Sequence, residues 1–168
     1  YIYYDIIMFE IKKNFLEKEQ FTKLKELIVE QDFPWRIRGE MTPGDTSYYF
    51  NFSFYNYQDV NSPLYTDYIL PIFNQLESKA VIQARANMFL SDLFTISGWH
   101  TDYDFKCKTA ILYLNSCDGG THFKINGKTK FIEAEENQIV IFDSNIEHRA
   151  VTSKNCSIRY IINLNYFI

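Results

Sequence analysis

Cysteine is scarce and unpatterned in this chain. There are three among 168 residues, Cys107, Cys117 and Cys156, an odd number with no CxxC spacing. That argues against a disulfide framework and a cysteine-based zinc site, and it favours a reducing compartment, with the cytoplasm as the expected location. No apolar run approaches the roughly 18 residues of a membrane-spanning helix, so no membrane partner is expected. Basic charge is in short supply as well. The 17 Lys and Arg face 21 Asp and Glu, for a formal net charge of -4. A general nucleic-acid binder needs a basic face to displace counterions, so nucleic acid is not the expected partner. The opening stretch, YIYYDIIMFEI, lacks the basic flank and small-residue cleavage site of a secretory signal, and it reads as an apolar strand. Tyr1 in place of an initiator methionine suggests a processed or trimmed chain. Histidine is rare too, with only three, so each one can be weighed.

Aromatic residues, by contrast, are abundant at 18%, and hydrophobic residues make up 46%. Aromatic side chains suit pleated, half-buried surfaces, so the composition leans toward sheet. The length fits one domain spanning 1–168. Over residues 15–29, Phe21, Leu24 and Ile28 recur at helical spacing. Residues 41–47 (MTPGDTS) read as a loop, and residues 48–57 (YYFNFSFYNY) as a strand. Ser62 and Pro63 start a second helix whose apolar face is Tyr65, Tyr68, Ile69, Ile72, Phe73 and Leu76, with a kink expected at Pro71. From Lys79 onward, short apolar runs alternate with turns, including Cys117-Asp118-Gly119-Gly120 and the hairpin signal Asn126-Gly127. The expected architecture is mostly β: a sandwich or jelly-roll barrel flanked by two N-terminal helices.

Three elements carry candidate chemistry. His100 and Asp102 lie two apart, so a strand would present imidazole and carboxylate on one face. A surface histidine beside an acid is the plainer alternative. His148 begins a later strand and could join them, or it could be an ordinary strand-end residue. Two imidazoles and one carboxylate on one face, with open coordination positions, suit non-haem Fe(II). Arg159 follows eleven residues later and is expected on a strand adjacent to that of His148. Its neighbourhood, SIRYIINLNY, contains no acid, so it needs an anion or a distant partner such as Asp143.

Taken in order, these segments resemble the 2-oxoglutarate/Fe(II)-dependent oxygenases, in particular the prolyl-4-hydroxylase-like branch. HTD at 100–102, TAILYLN at 109–115, GGTHF at 119–123, ENQIVIFDSNIEHR at 136–149 and RYIINLNYF at 159–167 carry the likeness. It covers residues 80–167 well and the first half in outline. The resemblance implies a double-stranded β-helix (the cupin-like jelly roll) over 80–168, buttressed by residues 1–79. It implies His100, Asp102 and His148 as iron ligands and Arg159 as the anchor of the distal carboxylate of 2-oxoglutarate. Tyr113 would support that carboxylate or simply pack, and Asn87 would contact the cosubstrate. Arg85 would meet substrate or a surface acid. Ile111, Ile141 and Ile161 would shield the site if they face inward. Many relatives carry Ser two residues after the basic residue, where this chain has Ile161. The implied cofactors are Fe(II), 2-oxoglutarate, O2 and ascorbate. The implied reaction hydroxylates a C–H bond of a peptide, a protein side chain or a small metabolite and releases succinate and CO2. The competing readings are a non-catalytic barrel that serves as a binding module, and a cupin-like metalloprotein that does not use 2-oxoglutarate. The preference for Asn, Ile, Lys, Tyr and Phe, residues of A/T-rich codons, points to a phage or streamlined bacterial source, with action in a host cytoplasm.

Overall fold

The computed structural model describes residues 9–42, 44, 48–93 and 96–168. The expected strand at the N-terminus lies outside them except for its end, and so does most of the 41–47 loop. Eleven strands and two α-helices are present among the described residues. In chain order these are β1 (Phe9–Lys12), α1 (Lys18–Val29), β2 (Arg36–Gly39), β3 (Tyr48–Asn56), β4 (Asp59–Val60), α2 (Leu70–Gln75) and β5 (Ala80–Leu90). There follow β6 (Lys108–Tyr113), β7 (Cys117–Ile125), β8 (Lys128–Ala134), β9 (Ile139–Asp143), β10 (His148–Val151) and β11 (Ile158–Phe167). The large sheet runs β1-β9-β6-β11-β5-β3-β2, with β4 beside β3, and the small sheet runs β10-β7-β8. All pairings are antiparallel. No helix among the described residues is long and apolar enough to cross a membrane.

The central strands of the large sheet are buried on both faces, and period-2 alternation sorts their side chains. On the outer face Ala84, Ala86, Ala110, Leu112, Ile162 and Leu164 meet Phe21, Leu24 and Ile28 of α1 and Ile72 and Phe73 of α2. Fully burying one such Ile or Leu contributes about 2 kcal/mol. On the inner face Phe89, Ile111, Tyr113, Val140, Phe142 and Ile161 pack toward the small sheet. Ile111 and Ile161 therefore face inward as expected. Ile141 does not: it belongs to the helix-facing cluster.

The helices follow the sequence with two local departures. Phe15 and Leu16 are not helical, because Asn137 clamps them: Leu16 N–H donates to Asn137 Oδ1 (2.9 Å), and Asn137 Nδ2 donates to the Leu16 carbonyl (2.8 Å). Pro71 lacks an N–H, and the turn before it, Tyr65–Ile69, is a π-helix. There Leu70 N–H reaches the Tyr65 carbonyl, a wider i→i+5 bond.

Asn126 and Gly127 form the β7–β8 hairpin turn, with φ of 51° and 73°. The Cys117–Gly120 segment is not a turn. It is the start of β7, with a register irregularity against β8. Its glycines serve close approach: a Cβ on Gly120 would lie 2.1 Å from the Ile132 carbonyl oxygen. Gly120→Ala must push β8 away and should cost about 1–3 kcal/mol. Urea unfolding should show this as a lower midpoint at unchanged slope.

Candidate active site

The space between the sheets holds a cavity of about 230 Å³. His100, Asp102 and His148 line one wall, and Arg85, Asn87, Phe89, Arg159, Ile161 and Asn163 line another. One metal-ligating atom from each of His100, Asp102 and His148 falls within 4.8 Å of the other two, so these residues could hold a single ion. His148 Nε2 is 3.6 Å and His100 Nε2 is 3.9 Å from Asp102 Oδ1. The two imidazole centroids are 4.4 Å apart.

Backbone pairing sets this geometry. His100 and His148 exchange both backbone hydrogen bonds, His100 N–H to the His148 carbonyl (3.0 Å) and the reverse (2.8 Å). Paired residues present their side chains on one face, so the imidazoles meet. His148 Nδ1 lies 3.0 Å from the Ile146 carbonyl oxygen. A carbonyl can only accept, so Nδ1 carries the proton and Nε2 keeps its lone pair for a ligand. Burial and the neighbouring His148 push the His100 imidazole down to about 4, which leaves it neutral near pH 7, the state a metal needs.

Asp102 is divided between two tasks. Oδ1 faces the imidazoles. Oδ2 accepts from Asn165 Nδ2 (2.7 Å) and Thr109 Oγ1 (3.0 Å). Burial by itself would raise its pKa, but His148, Arg85, the Asn165 hydrogen bond and His100 outweigh it and hold the carboxyl below its usual range. Asn165 and Thr109 were missed by the sequence reading. The available signal was alternation: Arg159, Ile161, Asn163 and Asn165 share one face of β11, and Thr109 pairs with Asn165 across β6.

Arg159 closes the deep end of the cavity. It is 1% exposed and lies over the Phe89 ring at 4.5 Å. Its Nε and both terminal nitrogens find no hydrogen-bond partner among the described residues. Asp143, the alternative partner, pairs with Lys108 instead. Arg159 and His148 are not on adjacent strands: β11 belongs to the large sheet and β10 to the small one, so the two residues face each other across the cavity. Tyr113 is fully buried on the same inner face and donates to Thr121 Oγ1 (2.8 Å). Burial raises its pKa and the Arg159 charge lowers it, with burial the larger effect. Asn87 lines the cavity, and its side-chain oxygen is buried without a hydrogen-bond partner among the described residues.

Three other residues lie away from the cavity. His122 sits on the far side of the small sheet beside Trp99 and Phe131 and accepts from Arg149 Nε (3.3 Å). Trp99 carries Arg149 and Lys124 over its ring and does not line the cavity. Trp35 packs against Phe33 and Tyr160.

No protein-family model matches the chain, and no curated protein does either. Solved structures do match. An oxidoreductase of the 2OG-Fe(II) oxygenase family from Burkholderia pseudomallei superposes with a TM-score of 0.73 at 12% identity, over 94% of this chain and 84% of that one. The fold is that of the 2-oxoglutarate/Fe(II) oxygenases. A Trichoplax adhaerens prolyl hydroxylase, solved with a hypoxia inducible factor peptide fragment, gives 0.69 at 19% identity over 95% and 83%. A Pseudomonas putida prolyl-4-hydroxylase gives 0.63 at 13% identity over 97% and 94%. The expected jelly roll with flanking helices is thus the fold of the chain.

Proposed function

We propose that this protein is an Fe(II)- and 2-oxoglutarate-dependent dioxygenase that hydroxylates a C–H bond. The substrate C–H, 2-oxoglutarate and O2 become C–OH, succinate and CO2. One observation carries the reading: a buried guanidinium with three unpartnered nitrogens lines the same small cavity as two imidazoles and a carboxylate. An unpaired buried arginine is costly, so the site is built for an anion as well as a cation. The donor set fits Fe(II), which takes imidazole and carboxylate ligands and leaves positions open.

His100, Asp102 and His148 hold the metal. Bound Fe(II) supplies the electron chemistry that couples O2 to oxidative decarboxylation and hydroxylation. Thr109 and Asn165 fix the Asp102 carboxylate through Oδ2 and leave Oδ1 for the ion. Arg159 grips the far carboxylate of 2-oxoglutarate through its planar fork, and its stacking on Phe89 fixes the fork in place. Tyr113 and Thr121 set the polar boundary beside it, and Asn87 contacts the cosubstrate from β5. Ile111 and Ile161 keep bulk water from the reacting centre. The peptide bound to the Trichoplax neighbour supports a peptide or protein side chain as substrate class, alongside small molecules. Ascorbate serves as the auxiliary reductant, and the three free cysteines fit a reducing cytoplasm.

The test is conversion of 2-oxoglutarate to succinate by purified protein supplied with Fe(II) in air, followed by mass spectrometry. Metal-dependent succinate, lost on adding a chelator, is the expected result. Absence of both succinate and metal-dependent 2-oxoglutarate binding would overturn the reading.

A further inference from the structure

A second guanidinium faces the same cavity, and the proposed chemistry does not use it. Arg85 on β5 lines the cavity with His100 and Asp102. Its Nε is buried and makes no hydrogen bond among the described residues. None of the ion pairs among the described residues includes Arg85. Register places Arg85 opposite Asn163, whereas Arg159 stands opposite Phe89. The backbones of the two arginines therefore stand four strand positions apart, roughly 13 Å along the sheet.

We infer that Arg85 anchors a carboxylate of the substrate, so that the molecule oxidised here is acidic. The inference rests on the oxygenase reading above and adds a substrate class to it. Charge balance carries it. The lining holds two arginines and one carboxylate, that of Asp102. A divalent cation and the 2-oxoglutarate dianion neutralise one another. One positive charge then stays uncompensated by protein, metal or cosubstrate, and an anionic substrate would offset it. The unpartnered amide oxygens of Asn87 and Asn163 flank Arg85 on the same face and offer acceptors for an N–H group. A carboxylate with an N–H nearby describes an acidic residue in a peptide, or an acidic amino acid. The approach is basic too. Arg36 and Arg38 of β2 pair opposite Asn51 and Tyr49 on this same face, and Arg38 Nε donates to Asn51 Oδ1 (3.3 Å). A local basic lane on an acidic chain draws anions inward.

Calorimetry under anaerobic conditions tests this with Zn(II) in place of iron and saturating 2-oxoglutarate. The probes are N-acetyl-L-glutamate N-methylamide, its aspartate analogue and the corresponding glutamine and asparagine compounds. The acids should bind at least about 10-fold more tightly than their amides, as expected for a charged hydrogen bond. In Arg85→Gln that preference should vanish while 2-oxoglutarate affinity holds. Free L-glutamate and L-aspartate complete the set: tighter binding than the capped forms assigns the anchor to a free amino acid, and weaker binding assigns it to a peptide. Equal binding of acid and amide overturns the inference, and so does the failure of every probe at millimolar concentration. A loss of 2-oxoglutarate affinity in Arg85→Gln also overturns it, because Arg85 would then serve the cosubstrate. If wild-type protein binds no 2-oxoglutarate, the oxygenase reading falls, and acid-over-amide preference with Zn(II) alone still decides the role of Arg85.

Discussion

Replacing His148 with alanine should reduce Fe(II)-dependent succinate formation to background, and His100→Ala should do the same. Each imidazole is one of the three candidate ligands found among the described residues, and its backbone is paired to the other histidine. Loss of a supporting contact to a ligand typically costs 10–100-fold in affinity or activity. Loss of the ligand itself should exceed that range. Fe(II) titration monitored by calorimetry separates the two cases. His148→Ala should show no tight site, whereas Asn165→Ala, which removes only the 2.7 Å support to Asp102, should keep a weakened one. Full turnover in both histidine variants would reject the ligand assignment.

Arg159→Met should move stability and binding in opposite directions. The wild-type guanidinium is buried and burial works against its charged form. Methionine fills similar volume without a charge to desolvate, and replacing buried ionic groups by packed apolar ones often stabilises by about 1–4 kcal/mol. Thermal melting of the metal-free variant should therefore occur at higher temperature. The same change should weaken 2-oxoglutarate by about 2–5 kcal/mol, the usual cost of truncating one partner of a buried charge pair. At 2-oxoglutarate concentrations that raise the wild-type melting temperature, the variant should show almost no shift. A variant that melts lower and still binds 2-oxoglutarate normally would place the anion elsewhere.

The residues that bear charge or metal-ligand chemistry were legible because few such residues exist and their order along the chain is distinctive. His100, Asp102, His148 and Arg159 all line one cavity. What escaped depends on register between distant strands. Asn165 and Thr109 reach Asp102 only because β11 pairs with β6 in one particular alignment, and no local pattern announces it. The side that Ile141 faces was left open by the sequence for a different reason. Ile139-Val140-Ile141-Phe142 is apolar throughout, as in strands buried on both faces, so alternation gives no cue to which side is which. Gly119-Gly120 misled because paired glycines commonly mark turns. Here they let backbones touch, a need visible only once the facing strand is in place. Arg159 and His148 were expected side by side because a short connection usually links neighbours, yet residues 152–157 carry the chain from one sheet to the other.

Among the described residues, the segment that carries His100 and Asp102 meets the small sheet through two isolated bridges, Ile96 with Val151 and His100 with His148, and through Ser97, whose N–H donates to the Ala150 carbonyl (3.0 Å) and whose Oγ accepts from Ala150 N–H (2.9 Å). An ion gripped by residues from both sides of that seam would act as a rivet. Iron loading would thus do structural as well as chemical duty, tightening a hem of the barrel that hydrogen bonds alone hold at a few points. The empty and loaded forms would then differ most in how readily this seam breathes, while the helix-backed sheet behind it stays the same in both.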